Sequence, residues 1–134
     1  MDEPINILLV DDDSITNFVT SKALQAYIPN VTISVASNGQ EALEKLRALL
    51  SKAAAMPDII FLDINMPVMD GWEFLNELQK MNDPVLSKIN IYLYTSSLYV
   101  EDKKRAATYS WVKEIISKPF SKKQVLGIVE DCGF

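Results

Sequence analysis

The chain has 134 residues, of which 49% are hydrophobic and 23% are charged, a composition typical of a single globular domain. It has no histidine and one cysteine, which excludes histidine-based nucleophile systems, zinc sites that need an imidazole, and internal disulfides. The formal net charge of -5 argues against a general nucleic-acid binder. Without a basic leader or an apolar stretch of about 20 residues, the sequence predicts a cytoplasmic domain with no signal peptide and no membrane span.

Short apolar runs alternate with helical patterns along the chain. Residues 5–10 are a short apolar run that includes Asn6, and residues 59–62 are an uninterrupted apolar run; both end at carboxylates, which is typical of buried strands. In chain order the predicted elements are strand 5–10, helix 14–28, strand 31–36, helix 40 to about 55, strand 59–62, helix 71–80, strand 89–94, helix 100–111, strand 114–116 and helix 121–131. The face of the first helix predicted to be buried carries Ile15, Phe18, Val19, Ala23 and Ala26.

Five strands that alternate with five helices predict an α/β fold, with a parallel sheet covered by helices on both faces. In such folds ligands bind beyond the carboxyl ends of the strands. The polar residues predicted to lie there are Asp11, Asp12, Asp63, Thr95 and Lys118.

Three carboxylates at one end of a sheet suggest a cation site, because like charges in close proximity raise one another's pKa or bind a cation. Oxygen ligands with open water positions favour Mg²⁺ or Mn²⁺ over zinc. The carboxylate of Asp63 can attack a phosphorus centre and form an acyl phosphate. The ammonium of Lys118 can pair with the phosphoryl group, and the hydroxyl of Thr95 can donate a hydrogen bond to it.

Four segments together resemble the receiver domain of bacterial two-component response regulators, and the resemblance covers nearly the whole chain. Each segment alone is common, but the four occur in order and each lies at a predicted strand end. They are Leu9-Val10-Asp11-Asp12-Asp13, Phe61-Leu62-Asp63-Ile64-Asn65-Met66-Pro67-Val68-Met69-Asp70-Gly71, Tyr94-Thr95-Ser96 and Ser117-Lys118-Pro119-Phe120. The resemblance implies a flavodoxin-like fold with strand order 2-1-3-4-5.

The resemblance also implies roles for the acidic residues. Asp63 is similar to the family's phosphoacceptor. Asp12 resembles the direct metal ligand of the acidic pair, and Asp11 acts beside it, often through water. The backbone carbonyl of Asn65 is the implied third protein ligand, and the implied cofactor is Mg²⁺ or Mn²⁺.

Further positions either match the family's pattern or depart from it. Thr95 and Lys118 resemble the phosphoryl-sensing hydroxyl and the phosphate-pairing lysine, and the Lys118–Pro119 bond is expected to be cis. Ser96 replaces the usual very small residue. Ile115 stands where many members have a Tyr or Phe that moves inward on activation. The switch is therefore expected to rest on Thr95 and the following loop, or on a nearby aromatic such as Tyr94 or Tyr99.

The function implied by the resemblance is that of a stand-alone receiver over residues 1–134, with no output domain and no enzymatic activity beyond its own phosphorylation and slow dephosphorylation. The expected partners are a histidine kinase or a histidine phosphotransfer protein, and a downstream protein bound through the face of helix four, strand five and helix five. The expected assembly is a monomer or a weak dimer, without nucleic acid or membrane.

Two alternatives are a pseudo-receiver that binds partners without phosphorylation, and a phosphohydrolase with an aspartate nucleophile. The hydrolase is disfavoured because Asn65 stands where such enzymes need a second aspartate.

Overall fold

A computed structural model describes residues 3–134 and contains one five-stranded parallel sheet within that range. Its strands are β1 (Ile5–Val10), β2 (Val31–Ala36), β3 (Ile59–Leu62), β4 (Asn90–Thr95) and β5 (Val112–Ser117). The strand order is β2-β1-β3-β4-β5, which confirms the predicted topology. Because all neighbouring pairs are parallel, every strand ends at the same edge of the sheet.

Five helices connect these strands, together with a short 3₁₀ turn at Leu86–Lys88. The helices are α1 (Ser14–Tyr27), α2 (Gly39–Ser51), α3 (Gly71–Met81), α4 (Val100–Ala106) and α5 (Lys122–Asp131). Side chains that cap free backbone N–H groups begin four of them: Asp13, Asn38, Asp70 and Ser121. Within residues 3–134 no helix combines the length and the apolar character that a membrane span requires.

The alternation of side chains along the strands divides the core into two layers. Leu8 and Val10 of β1 point to one face, where they pack with buried residues of α2 and α3. Ile7 and Leu9 point to the other face, where they pack with buried residues of α1 and α5. The sheet is therefore covered on both faces, as the continuous apolar runs predict.

The predicted buried face of α1 is wrong. Ile15, Phe18 and Val19 are 73%, 64% and 59% exposed, and the residues of α1 that are buried are Asn17, Thr20 and Leu24. The physical reason is that the inward positions carry polar side chains with buried partners. Asn17 Nδ2 donates to the backbone carbonyl of Asp11, and the Thr20 hydroxyl bonds to the hydroxyl of Tyr94. Hydrogen bonds thus compensate for the burial of polar groups in this helix.

Two helices end earlier than their sequence patterns predict. α4 ends at Ala106, because residues 107–111 form turns and Trp111 leads directly into β5. Several hydrogen bonds close this turn, among them the one from the backbone N–H of Val112 to the carbonyl of Tyr109. α2 ends at Ser51 rather than near Ala55, and Ala53 beyond it adopts a positive φ of 53°. The apolar residues among 107–112 therefore belong to a turn and a strand, which periodicity alone does not separate from a helix.

Candidate functional site

The sheet brings three acidic side chains together at its carboxyl edge. β1 and β3 are adjacent and Val10 pairs with Leu62, so Asp11 and Asp63 extend from neighbouring strand ends. One carboxylate oxygen from each of Asp11, Asp12 and Asp63 lies within 4.8 Å of the others. Separate parts of the sequence thus form one acidic cluster, as the sequence analysis predicts.

Asp11 is fixed in place by a dense set of hydrogen bonds. Its backbone N–H donates to the carbonyl of Ala36 at 3.0 Å, and its own carbonyl accepts from Asn17 Nδ2 at 2.9 Å. One carboxylate oxygen accepts from the backbone N–H of Asp13 at 2.9 Å. The sequence analysis does not single out Asn17; the signal available for it was a polar residue in the first turn of α1, five residues after Asp12. The buried carboxylate is therefore held in one orientation.

Lys118 reaches this cluster from the end of β5. Its backbone N–H donates to the carbonyl of Thr95 at 2.8 Å, which places the ends of β4 and β5 side by side. Its ammonium contacts the carboxylate of Asp11 and lies 3.6 Å from Oδ2 of Asp63. The Lys118–Pro119 peptide bond is cis, as expected. The lysine is thus the cation that faces both buried carboxylates.

Asp63 is held in a buried position directly after β3. Asp63 is 7% exposed, and its backbone N–H donates to the carbonyl of Val10 at 2.8 Å. Burial raises the pKa of the Asp63 carboxyl to about 6, and the nearby charge of Asp11 adds to this rise. The ammonium of Lys118 and the N–H groups of Asn65 and Ile64 act in the opposite direction on this pKa.

The loop after Asp63 folds closely beneath it. The N–H of Gly71 donates to the carbonyl of Ile64 at 2.9 Å, and this contact brings the start of α3 against the end of β3. A Cβ atom at Gly71 would lie 2.5 Å from the carbonyl oxygen of Asp63, which is closer than such atoms approach. Glycine is therefore required here by the space beside the backbone of Asp63 rather than by its own conformation.

Thr95 and Asn65 lie at the same edge, with different exposures. Thr95 is buried, and its hydroxyl donates to the carbonyl of Ser97 and accepts from the N–H of Ser97, both at 3.2 Å. A bond from this hydroxyl to a group on Asp63 would therefore replace its bond to the Ser97 carbonyl. Asn65 is exposed, two residues after Asp63.

The donor set fits a hard divalent cation. Asp12 is exposed, whereas Asp11 and Asp63 are buried, so three carboxylates surround a position that solvent reaches from one side. The three carboxylates of this cluster are accompanied by one ammonium, that of Lys118 beside Asp11 and Asp63, which leaves an excess of negative charge. Oxygen ligands of this kind suit Mg²⁺ or Mn²⁺, with water in the remaining positions.

Comparison with known proteins assigns the chain to a family. The family model described as the response regulator receiver domain matches residues 7–130. The chain belongs to this receiver family. A solved relative of this receiver, a two-component response regulator from Cytophaga hutchinsonii, has a TM-score of 0.89 and 29% identity, covering 98% of each chain. The chemotaxis response regulator CheY4 of Vibrio cholerae has a TM-score of 0.75 and 26% identity, covering 96% of this chain and 98% of the other.

Curated relatives of the receiver are longer proteins. The chain is 32% identical to the sensor histidine kinase CheAY of Helicobacter pylori, over 92% of this chain and 14% of that protein. It is 30% identical to the probable transcriptional regulator ycf29 of Porphyra purpurea, over 94% of this chain and 55% of that protein. The chain thus spans between about a seventh and about half of the length of these two relatives.

The aromatic residues of the receiver near β4 and α4 differ in exposure. Tyr92 and Tyr94 are buried, and Tyr109 stacks on Trp72 with 5.9 Å between ring centres. The hydroxyl of Tyr109 also donates to Asn76 at 2.7 Å, which holds this ring against α3. Tyr99, by contrast, is 63% exposed at the start of α4.

The raised pKa of Asp63 predicts a stability that depends on pH. The folded chain holds a proton on Asp63 up to about pH 6, whereas the unfolded chain loses it near 3.8. Stability of the metal-free receiver therefore falls as pH rises between these two values, and stays reduced above them. After allowance for solvent screening, we expect Asp63→Asn to stabilise the metal-free receiver at pH 7.5 by about 1–2 kcal/mol, or about 4–8 °C in Tm.

Thermal unfolding in EDTA at pH 7.5 and pH 4 measures this effect. The gain from Asp63→Asn should be large at pH 7.5 and small at pH 4, where the native carboxyl is protonated. Asp13→Asn serves as the control, because N–H groups of α1 hold the pKa of the Asp13 carboxyl below its usual value. An equal gain at both pH values would show that charge burial at Asp63 is not the cause.

Proposed function

We propose that this receiver accepts a phosphoryl group on Asp63 from a histidine kinase or a histidine phosphotransfer protein, and signals through protein contacts that change on phosphorylation. Asp11, Asp12, Asp63 and the backbone carbonyl of Asn65 are the proposed ligands of Mg²⁺ or Mn²⁺. Lys118 and Thr95 are the proposed partners of the phosphoryl oxygens. The observation that carries this proposal is the ammonium of Lys118 at 3.6 Å from Asp63, beside a cluster of three carboxylates.

The proposed reaction is a direct transfer between two proteins. An oxygen of the Asp63 carboxylate forms a bond to phosphorus while the P–N bond to the donor imidazole breaks, and the electron pair of that bond stays on the imidazole. The donor histidine comes from the partner, since this chain has none. A divalent ion held by Asp11, Asp12 and Asp63 would supply positive charge to balance that of the phosphoryl oxygens. Lys118 supplies a further positive charge, and the new phosphoryl group adds a charge of about -1.5 to -2.

Acetyl phosphate tests the proposal without a protein donor. With Mg²⁺ present, the intact mass of the chain should increase by one phosphoryl group, with acetate as the leaving group. Labelling that is absent with Mg²⁺, Mn²⁺ and a second small donor such as phosphoramidate would contradict the proposal. That result would favour the pseudo-receiver alternative, in which the same fold binds partners unphosphorylated.

The exposed face of α1 is the proposed docking site for the protein that donates the phosphoryl group. Ile15, Phe18 and Val19 form an apolar patch, which we call the α1 patch. α1 starts two residues after Asp12, and one groove is lined by both Asp12 and Phe18. The patch is thus continuous with the acidic cluster that the donor imidazole has to approach. Exposed apolar clusters of this kind are typical of protein interfaces.

Substitution of the α1 patch should separate the two kinds of donor. The protein donor is the histidine kinase or phosphotransfer protein of the source organism that labels the native chain fastest. With this donor, the double variant Ile15→Ala and Phe18→Ala should slow phosphotransfer by about tenfold or more. Labelling by acetyl phosphate should stay within about twofold, since both side chains lie outside the acidic cluster.

Val85→Ala is the matched control, because Val85 is 47% exposed just before the 3₁₀ turn and lies outside both the α1 patch and α4. It should leave both rates unchanged. A double variant of the α1 patch that accepts phosphoryl from the protein donor at the normal rate would rule out this docking site.

The proposed output surface is the face of α4, β5 and α5. Tyr99 and Val100 are each 63% exposed at the start of α4, a few residues after Thr95. A rearrangement of Thr95 and the following loop would therefore reach these side chains first. An exposed aromatic residue next to the loop that would rearrange is suited to anchor a partner.

A further inference from the structure

Three aromatic side chains lie directly beneath the acidic cluster, on the side of the sheet that α1 and α5 cover. They are Phe61, Tyr94 and Phe120, and all three are buried. Each lies within two residues of a proposed site residue: Phe61 before Asp63, Tyr94 before Thr95, and Phe120 after Lys118. The ring of Phe120 lies 5.0 Å from that of Phe61 and 4.9 Å from that of Tyr94, measured between centres.

The ring of Tyr94 also contacts the ammonium of Lys118. The ammonium of Lys118 lies 5.0 Å from the centre of the Tyr94 ring, within the range in which the negative face of a ring attracts a cation. The same ammonium contacts Asp11 and lies 3.6 Å from Asp63. A lysine side chain has many rotamers in solution, whereas here the Tyr94 ring and the carboxylates of Asp11 and Asp63 restrict the position of the ammonium.

The Tyr94 ring is itself held from two directions. It stacks on Phe120 with an angle of 23° between the ring planes. Its hydroxyl hydrogen-bonds to the hydroxyl of Thr20 on α1 at 3.1 Å, and both residues are buried. The position of the ring is therefore set by α1 and by the segment that leads into α5.

The position three residues before Lys118 offers no comparable ring. Ile115 stands there, and its side chain packs against the core layer on the opposite face of the sheet. Tyr94 belongs to the layer beneath Lys118. The aromatic contact of the lysine thus comes from β4 in this chain.

We propose that Tyr94 is a positioning residue for Lys118: the face of its ring holds the ammonium beside Asp63, and stacking on Phe120 together with the bond to Thr20 holds the ring. This inference rests on the proposed phosphorylation of Asp63. Tyr94 makes no bond to the phosphoryl group and acts through the lysine. In the transfer, the bond between Asp63 and phosphorus forms as the bond between phosphorus and the donor breaks. The ammonium of Lys118, already in position, then stabilises the negative charge on the phosphoryl oxygens.

A double-mutant cycle tests the proposed route through Lys118. Tyr94→Met keeps an apolar side chain but removes the ring, and it should slow labelling by acetyl phosphate by about threefold to tenfold. Tyr94→Phe keeps the ring and its stacking on Phe120 but removes the bond to Thr20, so it should slow labelling less than Tyr94→Met, by about twofold at most. In a Lys118→Met background, Tyr94→Met should have almost no further effect. If Tyr94→Met slows labelling equally with and without Lys118, the ring acts through packing alone and the proposal is wrong.

A second measurement needs no labelling at all. The ε-methylene protons of Lys118 should show an upfield NMR shift from the ring current of Tyr94, retained in Tyr94→Phe and lost in Tyr94→Met. An unshifted Lys118 resonance in the native chain would overturn the proposal, even if Tyr94→Met does not fold. Failure of acetyl phosphate to label the native chain would instead contradict the proposed function, and the NMR result would still decide whether Tyr94 positions the lysine.

Discussion

Asp63→Asn is expected to abolish phosphoryl labelling, with a loss in rate of at least about 10³-fold with acetyl phosphate and Mg²⁺. The substitution keeps the shape of the side chain but replaces the attacking carboxylate oxygen with an amide, which is a far weaker nucleophile. Because Asp63 is buried and carries a raised pKa, its replacement by a neutral group should not unfold the chain. Intact mass after a fixed incubation measures the labelled fraction.

Asp13→Asn is the matched control for this experiment. Asp13 belongs to the same acidic run, but its carboxylate caps α1 by accepting from the N–H groups of Ile15 and Thr16. Asparagine caps helices equally well, so labelling should stay near the native rate. Labelling of Asp63→Asn at the native rate would remove Asp63 as the acceptor.

The second large effect is expected from the removal of Asp12. Asp12→Asn takes one of three carboxylates from the acidic cluster and should weaken Mg²⁺ binding by about tenfold or more, because affinity for hard cations depends on ligand charge. Labelling at limiting Mg²⁺ should fall in parallel, and chelation of the metal by EDTA should stop it.

Binding is measured separately from labelling by following the NMR shifts of backbone amides near residues 11–13 and 63–65 during a Mg²⁺ titration. Asp102→Asn on α4 is a suitable control, since it changes the net charge by the same amount outside the acidic cluster. Equal Mg²⁺ affinity in Asp12→Asn and the native chain would contradict the assignment of Asp12 as a ligand.

The sheet and the carboxyl edge were predictable because they depend on local patterns. A strand segment buried on both faces must be apolar, so the runs at residues 7–10 and 59–62 mark strands. Each of these runs stops at an aspartate, and parallel strands end at one edge. The meeting of Asp11, Asp12 and Asp63 follows from these two facts and the strand order.

The packing of α1 was not predictable in the same way. A count of apolar residues places Ile15, Phe18 and Val19 inside, but the inward positions are taken by Asn17 and Thr20. These polar residues are buried because their partners, the carbonyl of Asp11 and the hydroxyl of Tyr94, lie on the sheet. Those partners become visible only once the strands are assembled, so helical periodicity alone gives the opposite face.

The contact between Tyr94 and Lys118 was hidden for a related reason. The two residues lie on neighbouring strands, and the sequence gives no signal that the lysine side chain folds back over the ring. The departure at Ile115 pointed to a nearby aromatic such as Tyr94 or Tyr99, but not to which of them faces the lysine. Which other aromatic faces the lysine depends on the face of β4 from which each ring projects.

Chemical mapping of the labelled residue tests the account most directly. Borohydride reduces an aspartyl phosphate to homoserine, which peptide mass spectrometry locates within the sequence. After incubation with acetyl phosphate and Mg²⁺, we expect homoserine at residue 63 and unmodified aspartate at residues 11, 12 and 13. Homoserine at one of those three positions, with residue 63 unchanged, would contradict the account.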